Sequence, residues 1–424
     1  MTVFRQPVRR IYVAKGLRAF GDGYVSLLLP AYLLQLGFGP AHVGVIATTT
    51  LLGSGLMTLG VGLHARRVRD RTMLLVASAI MAGTGIGFAS CTEFWPLLLI
   101  ALVGTLNPSS GDVSVFLPLE HAVLSRAVED RGRTVAFARY SMVGALAAAL
   151  GALAAGVPAA LVSRAGVGPG VAMQAMFVLY AGLAMATAAV YRGLPSGPSA
   201  TERTRPAPLT ASRRKVFTLA ALFSLDAFGG GFIVQSIVAL WLYQRFALPL
   251  EAAGVLFFWT GLASALSYPV AARLANRFGL VNTMVFTHLP SSLCLVAMPF
   301  LPSLGGVIAL LIVRAALSQM DVPTRSSYVM AIVPPDERAA AASVTSVPRS
   351  LASALSPALA GSLLSVSTFA WPLLVAGGVK IAYDLLLLAL FRTVRPPEEQ
   401  PKPAHEPLVH ARRHVPDVQH GHRR

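Results

Sequence analysis

Twelve runs of roughly 20 mostly apolar residues, each set off from the next by charged residues, glycine or proline, follow one another along this chain of 424 residues. About 20 such residues make a helix long enough to cross ~30 Å of hydrocarbon. A backbone in lipid has to satisfy its own hydrogen bonds, which leaves helices as the spanning element for runs of this length. The runs predict spans near 12–36, 42–63, 72–91, 95–123, 134–162 and 171–191, then near 216–243, 251–272, 281–301, 306–333, 340–366 and 371–391. The fold class that follows is an all-α membrane protein of twelve transmembrane helices.

Composition agrees. Hydrophobic residues make up 55% of the chain and charged residues only 12%, against about 25% in soluble domains. So few charges leave too little polar surface for water to cover, and the lipid bilayer is the implied partner. The formal net charge of +17 does not point to nucleic acid. The basic residues sit in short clusters between apolar runs, as membrane topology demands, and no nucleic-acid motif accompanies them. Cys91 and Cys294 lie in or beside apolar runs and read as packing residues; no disulfide framework, zinc spacing or cofactor motif is present. Arg5 to Arg10 before an apolar run resembles a signal peptide, but Lys15, Arg18 and Asp22 inside the run predict a retained first span.

Arg66, Arg67, Arg69 and Arg71 cluster in one loop, and Arg126, Arg131 and Arg133 in another. The N-terminus, the even-numbered loops and the C-terminal tail hold most of the 35 Lys and Arg, whereas the odd-numbered loops hold Arg164 and Arg245. This asymmetry predicts that both termini are cytoplasmic, in a multi-pass protein of the plasma (inner) membrane.

The chain repeats itself about 208 residues on. Ala19-Phe20-Gly21-Asp22-Gly23-Tyr24 parallels Ala227-Phe228-Gly229-Gly230-Gly231-Phe232. Pro40 and Gly44 parallel Pro249 and Gly254, Asp112-Val113 parallels Asp321-Val322, and Glu129-Asp130-Arg131 parallels Asp336-Glu337-Arg338. Six spans separate the copies, so both halves have the same orientation, the parallel repeat known in transporters. The predicted organisation is a six-helix bundle over 1–191, a Pro- and Arg-rich linker over 192–215, a second six-helix bundle over 216–392 and a disordered tail over 393–424 with five histidines.

Six spans plus six, a basic central linker and basic loops after spans 2 and 8 resemble the major facilitator superfamily, over residues 10–392. The loop signature of that family is legible in Leu274-Ala275-Asn276-Arg277-Phe278-Gly279, with Asn276 where the family usually has Asp, and in degraded form over Gly62 to Arg71. The resemblance implies a central cavity lined by spans 1, 4, 7 and 10.

Those are the spans in which charge concentrates. Span 1 carries Lys15, Arg18 and Asp22; span 4 carries Asp112; span 7 carries Asp226; span 10 carries Arg314, Asp321 and Arg325. A charge at mid-bilayer costs roughly 2.5–3.5 kcal/mol on insertion scales, so each needs a partner or a wet cavity. Arg18 and Asp22 are spaced i, i+4, as are Asp321 and Arg325, which puts each pair on one helix face. Arg18 and Asp226 hold matching positions in the two halves and are expected to face each other. Arg139 in span 5 and Arg349 beside Pro348 in span 11 read as further cations near the cavity. Lys380 and Asp384 in the peripheral span 12 read as a self-neutralising pair, and His121 and His288 as packing residues.

The candidate substrate- and proton-binding residues are thus Arg18, Asp22, Asp112, Asp226, Arg314, Asp321, Arg325 and Arg349, with no catalytic or metal-ligating set. Asp22, Asp226 and Asp321 are candidates for a carboxylate that takes up a proton when solute draws a paired arginine away. Arg18 and Arg325 are candidates for gripping an anionic group. Glycines in spans 1, 5, 7 and 11 read as close packing, and the resemblance, through the Gly- and Pro-rich signature that antiporters of the family carry in span 5, slightly favours efflux. The function that follows is secondary transport of a small-molecule substrate by alternating access, coupled to protons and carried out by a monomer. A solute sensor on the same fold is the alternative. A membrane enzyme is disfavoured, because neither His-Glu-x-x-His nor Gly-x-Ser-x-Gly occurs, and no phosphate loop of the Gly-x-x-x-x-Gly-Lys type is present.

Overall fold

The structure, a computed structural model, describes residues 5–64, 68–109, 114–128, 130–195, 209–334 and 337–394. Among them are sixteen α-helices and no strand. The twelve predicted spans are all present, but four are broken. The unbroken ones are α1 (Arg5–Gln35), α2 (Pro40–His64), α3 (Asp70–Ser90), α8 (Pro169–Arg192), α11 (Leu250–Phe278), α12 (Leu280–Ala297), α15 (Arg338–Val366) and α16 (Trp371–Phe391). Span 4 is α4 (Phe94–Val103) and α5 (Phe116–Ala127), and span 5 is α6 (Asp130–Ala154) and α7 (Val157–Ala165). Span 7 is α9 (Arg213–Gly231) and α10 (Gln235–Phe246), and span 10 is α13 (Leu304–Ser318) and α14 (Asp321–Ile332). At 31 residues and 1.5 Å per residue, α1 is about 46 Å long and reaches beyond the hydrocarbon at one end or both.

The breaks have local causes. Gly104 ends α4 in an extended conformation, and Pro108 follows without a backbone N–H. Pro158 sits in the first turn of α7, where a missing N–H is tolerated. Three successive glycines end α9. Backbone groups freed by a break need partners in lipid, and here the broken spans 4 and 7 serve each other: the Ser236 N–H at the start of α10 donates to the Pro108 carbonyl at 3.1 Å. Asn107 Oδ1 accepts from the Ser109 N–H at 3.1 Å and hydroxyl at 2.8 Å.

The two halves pack in the same way inside themselves. In the first, α1 crosses α6 so tightly that a Cβ on Gly23 would lie 2.1 Å from the Ala148 carbonyl oxygen. In the second, a Cβ on Gly231 would lie 2.3 Å from the Ser353 carbonyl oxygen of α15, and the Ser356 hydroxyl donates to the Phe228 carbonyl at 2.5 Å. Spans 1 and 5 of one half thus correspond to spans 7 and 11 of the other, as the parallel repeat requires.

Between the halves, the tight contacts lie at the end away from the chain termini. The start of α2 meets the later turns of α15, where Thr48 Oγ1 accepts from the Ala358 N–H at 2.9 Å. A Cβ on Gly44 would lie 2.4 Å from the Pro357 carbonyl oxygen and 2.9 Å from the Gly361 Cα. On the opposite flank the start of α11 meets the end of α6, and a Cβ on Gly254 would lie 2.5 Å from the Ala152 carbonyl oxygen. Among the described residues, α5 and α14, which run toward the terminus-bearing end in spans 4 and 10, are not closely packed against each other. The bundle is sealed at one end.

At the terminus-bearing end, Glu337 anchors the entry to α9. Its carboxylate accepts from the Ser212 hydroxyl, from the Thr210 hydroxyl and N–H at 2.7 and 2.8 Å, and from the Ala211 N–H at 2.8 Å. The Ser212 and Thr210 bonds hold its pKa down from 4.5 to about 2. The bulk of the predicted linker and the predicted tail lie outside the described residues.

Gly44→Ala places a methyl group against backbone, so it disfavours the sealed state. Cysteine labelling at Ser353→Cys from the two membrane faces is expected to show increased access from the face away from the termini. The folded-state pKa of Glu337 lies below its ordinary value, so its stabilisation is complete above pH 4.5 and is lost only as pH falls toward 2. The melting-temperature difference between the wild type and Glu337→Ala is therefore expected to be constant from about pH 5.5 to 8.

Candidate functional site

Between the seal and the terminus-bearing end lies a cavity of about 370 Å³ walled by both halves. The first half contributes Lys15 and Asp22 from α1, Ser109 from the break in span 4 and Ser141 from α6. The second half contributes Asp226 from α9, His288 from α12, Arg314 from α13, Asp321 and Arg325 from α14, Arg349 from α15 and Lys380 from α16. The 3.6-residue period places Asp321 and Arg325 one turn apart on the inner face of α14, and Lys380 and Asp384 likewise on α16.

The second-half charges form one network centred on Asp226. Its Oδ1 accepts from Lys380 Nζ at 2.6 Å and its Oδ2 from Arg325 Nη2 at 3.0 Å. The same Arg325 nitrogen pairs with Asp321, and the guanidinium lies 5.1 Å from the Phe223 ring centroid. His288 bridges inward, with Nε2 3.6 Å from Asp226 Oδ1 and Nδ1 2.9 Å from Asp384 Oδ1. Asp384 is fully buried. Asp226, His288 and Asp321 offer donor atoms within 4.8 Å of one another, a spacing that could suit a metal ion. Both carboxylates are already held by Lys380 or Arg325, so a cation there would have to displace these ammonium and guanidinium groups.

The first half builds a different knot. Arg18 pairs with Glu120 of α5, approaches the Ser114 hydroxyl at 3.5 Å, and lies 4.1 Å from the Phe116 ring centroid. Glu120, fully buried, also accepts from the Tyr140 hydroxyl at 2.5 Å and the Tyr191 hydroxyl at 2.6 Å. This knot binds α1, α5, α6 and α8 together behind the cavity wall.

The structure corrects the sequence expectations at several residues. Arg18 does not line the cavity and does not face Asp226; Glu120 takes its charge. Arg18 and Asp22 share a helix face, yet Asp22 makes no ion pair among the described residues. The Tyr180 hydroxyl is 3.4 Å from it. Lys380 and Asp384 do not neutralise each other: Lys380 reaches across to Asp226, and Asp384 holds His288. Arg139 is exposed rather than buried beside the cavity. Asp112 lies outside the described residues. Asp22, Asp226, Arg314, Asp321, Arg325 and Arg349 are brought together in one cavity. Sequence reasoning missed Glu120, His288, Lys380 and the tyrosines as members of the networks, and left Lys15 out of the candidate set although it lines the cavity. The signal for Glu120 was available, because it is an acid inside the predicted span 4. His288 and Lys380 lie on spans 9 and 12, which spacing alone does not bring to the centre.

The model of the Major Facilitator Superfamily matches residues 11–313 and again 222–419. The chain belongs to the Major Facilitator Superfamily. The second match begins within the second half, as expected of a repeated fold. An uncharacterised membrane protein of Saccharomyces cerevisiae, YJR124C, is 23% identical over 420 residues, covering 91% of this chain and 94% of that one. The nucleoside transporter NupG, solved as a point mutant, superposes with a TM-score of 0.70 at 16% identity, over 91% of this chain and all of that one. A bacterial homologue of the human lysosomal transporter Spinster, solved inward-facing and occupied, gives 0.68 at 16% identity, over 92% and 97%. The superfamily fold is thereby fixed, with twelve transmembrane helices in two six-helix bundles, and the chain is a multi-pass membrane protein of a transporter superfamily rather than an enzyme.

Removing one member of a buried pair strands the other. Glu120→Gln leaves the Arg18 guanidinium buried without a counter-charge and is expected to destabilise the protein by about 3–5 kcal/mol. Tyr191→Phe removes one neutral donor to the carboxylate and is expected to cost about 1–3 kcal/mol. Thermal melts in detergent check the order: Glu120→Gln lowest, Tyr191→Phe intermediate, wild type highest.

Proposed function

We propose that this superfamily member is a secondary transporter that carries a small polar or charged solute by alternating access, driven by protons, in a plasma (inner) membrane with both termini cytoplasmic. The observation that carries this reading is the charged cavity between two halves that, among the described residues, are sealed at one end. A solute bound there has one way out, and exchange of the seal from one end to the other moves it across. One chain walls the whole cavity, so a monomer suffices. With the termini cytoplasmic, the sealed end is the outer one and the cavity faces inward.

Of the three candidate proton carriers, geometry favours Asp22. Asp226 and Asp321 are bound to cations and act as the network's fixed charges. Asp22 lines the cavity, is buried, and has the Tyr180 hydroxyl rather than an ion-pair partner beside it among the described residues. Lys15 and Arg18 stand within two turns on the same helix, Tyr180 faces it from α8 and Tyr24 lies nearby on α1. A solute entering between them alters the charge that Asp22 meets, which links its protonation to occupancy. The glycines of span 5 are used in packing, since a Cβ on Gly151 would lie 2.0 Å from the Phe20 carbonyl oxygen; efflux therefore gains no support from them and is not part of the proposal.

The test is flux in proteoliposomes across a compound panel, with and without an imposed pH gradient. The expected result is gradient-driven accumulation of at least one compound. Asp22→Asn is expected to flatten the dependence on the gradient while solute exchange at equal pH persists. A protein that binds solute but moves none in either direction would instead be a sensor.

A further inference from the structure

The cavity holds two guanidinium groups that the networks leave over. Arg314 on α13 and Arg349 on α15 both line it, and neither makes an ion pair or hydrogen bond to a described residue. Their Nε atoms are buried without a partner. The nearest carboxylates, Asp226 and Asp321, are already engaged by Lys380 and Arg325. Arg325 itself keeps Nη1 and Nε free of any hydrogen bond while its Nη2 is paired twice. A buried guanidinium N–H without an acceptor is costly, and both arginines stand half-buried in the cavity with no carboxylate of their own. Such an arrangement persists where something not belonging to the protein completes it.

We propose that the transported solute is a small organic anion whose carboxylate or phosphate is taken up by the unpartnered guanidinium groups of Arg314 and Arg349. Guanidinium suits both groups, because its planar fork presents parallel N–H donors to two oxygens. The facing wall fixes the rest of the solute. Ser109 and Ser141 offer hydroxyls, Asp22 an acceptor and Lys15 a cation, so the body beyond the anionic head is polar or hydrogen-bonding rather than greasy. A cavity of about 370 Å³ falls within the range of about 300–1,000 Å³ for metabolite- and drug-sized sites. This assignment rests on the transporter reading for the word solute, but the anion grip itself can fail or hold independently.

The test is binding to the purified full-length chain in detergent, read by thermal shift and isothermal titration. The probes are glutarate, hippurate, glucose 6-phosphate and inorganic phosphate, with glutaramide, hippuramide and glucose as uncharged counterparts. At least one organic anion is expected to bind and to raise the melting temperature, while its uncharged counterpart does neither. Arg314→Gln and Arg349→Gln are each expected to weaken that binding roughly 10- to 100-fold, with the Lys variants in between. Without ligand, the two Gln variants are expected to melt no lower than the wild type, because no partner is stranded; Arg325→Gln, which strands Asp321, is expected to melt lower. Inorganic phosphate binding alone marks a free-anion site and overturns the organic solute. Equal binding of the uncharged counterparts, binding unchanged in both Gln variants, or no binding of any anion overturns the grip. Arginine-dependent anion binding without flux in vesicles upholds the grip and refutes transport.

Discussion

A charge carried into the membrane interior has to be balanced where it stands, and most of this structure can be understood from how it meets that demand. Water is not at hand to screen an arginine on a spanning helix, so each one fixes the position of whatever neutralises it. Arg18 meets the demand with Glu120, and Glu120 fills its remaining acceptor capacity with two tyrosine hydroxyls. Four helices of the first half are thereby set in register by one buried carboxylate. In the second half, Asp226 plays the corresponding part for Arg325 and Lys380, drawing α9, α14 and α16 together. The difference lies in access: the first knot is behind the wall and the second forms the wall.

That asymmetry is superimposed on a repeat that is otherwise faithfully kept. Close helix crossings made by small residues recur in both halves, because backbones that approach within van der Waals contact leave no room for a Cβ. Packing of this kind tolerates little divergence. Charged positions inside the bundles obey no such constraint, and there the two copies have parted: Arg18, behind the wall in one, stands where Asp226, in the wall, stands in the other. One consequence is that cationic chemistry crowds the second half, while the first half offers hydroxyls, Asp22 and Lys15. The cavity belongs to the seam and to neither bundle alone.

The fold was legible in the sequence because the bilayer imposes a length and a polarity that few other environments demand. Span number, the repeat and the glycines and prolines of the broken spans can all be read there, although the apolar runs predict continuous helix where the structure breaks it. The interior of the site was legible only as a set of charged residues. Helical spacing found the Asp321–Arg325 pair, since both partners lie on one helix. It misassigned Lys380 and Asp384, whose spacing is the same, because their partners lie on other helices and compete better. Arg18 and Asp22 show the limit again: sharing a face is necessary for pairing, yet Glu120, 102 residues away, took the arginine. Partner choice between helices is a property of packing, and no period in the sequence carries it.

The same electrostatics suggests why occupancy and movement are coupled. To seal the terminus-bearing end, α5 and α14 must approach, and the cavity between them must lose much of its water. With Arg314 and Arg349 uncompensated, that loss strips hydration from two like charges, whose desolvation in a low-dielectric space is costly. On the proposal above, an anion at these arginines supplies the missing counter-charge and removes the need for water. The ligand therefore favours the closed form by the difference in its affinity for the wet and the dry cavity, which is the only means by which a ligand shifts a conformational equilibrium. In that proposal a proton on Asp22 would act in the same direction from the facing wall, by removing a second buried charge. On the proposed reading, an empty, deprotonated carrier stays open while a loaded one closes and turns, and the leftover arginines would then act as a gate against idle cycling as well as a grip.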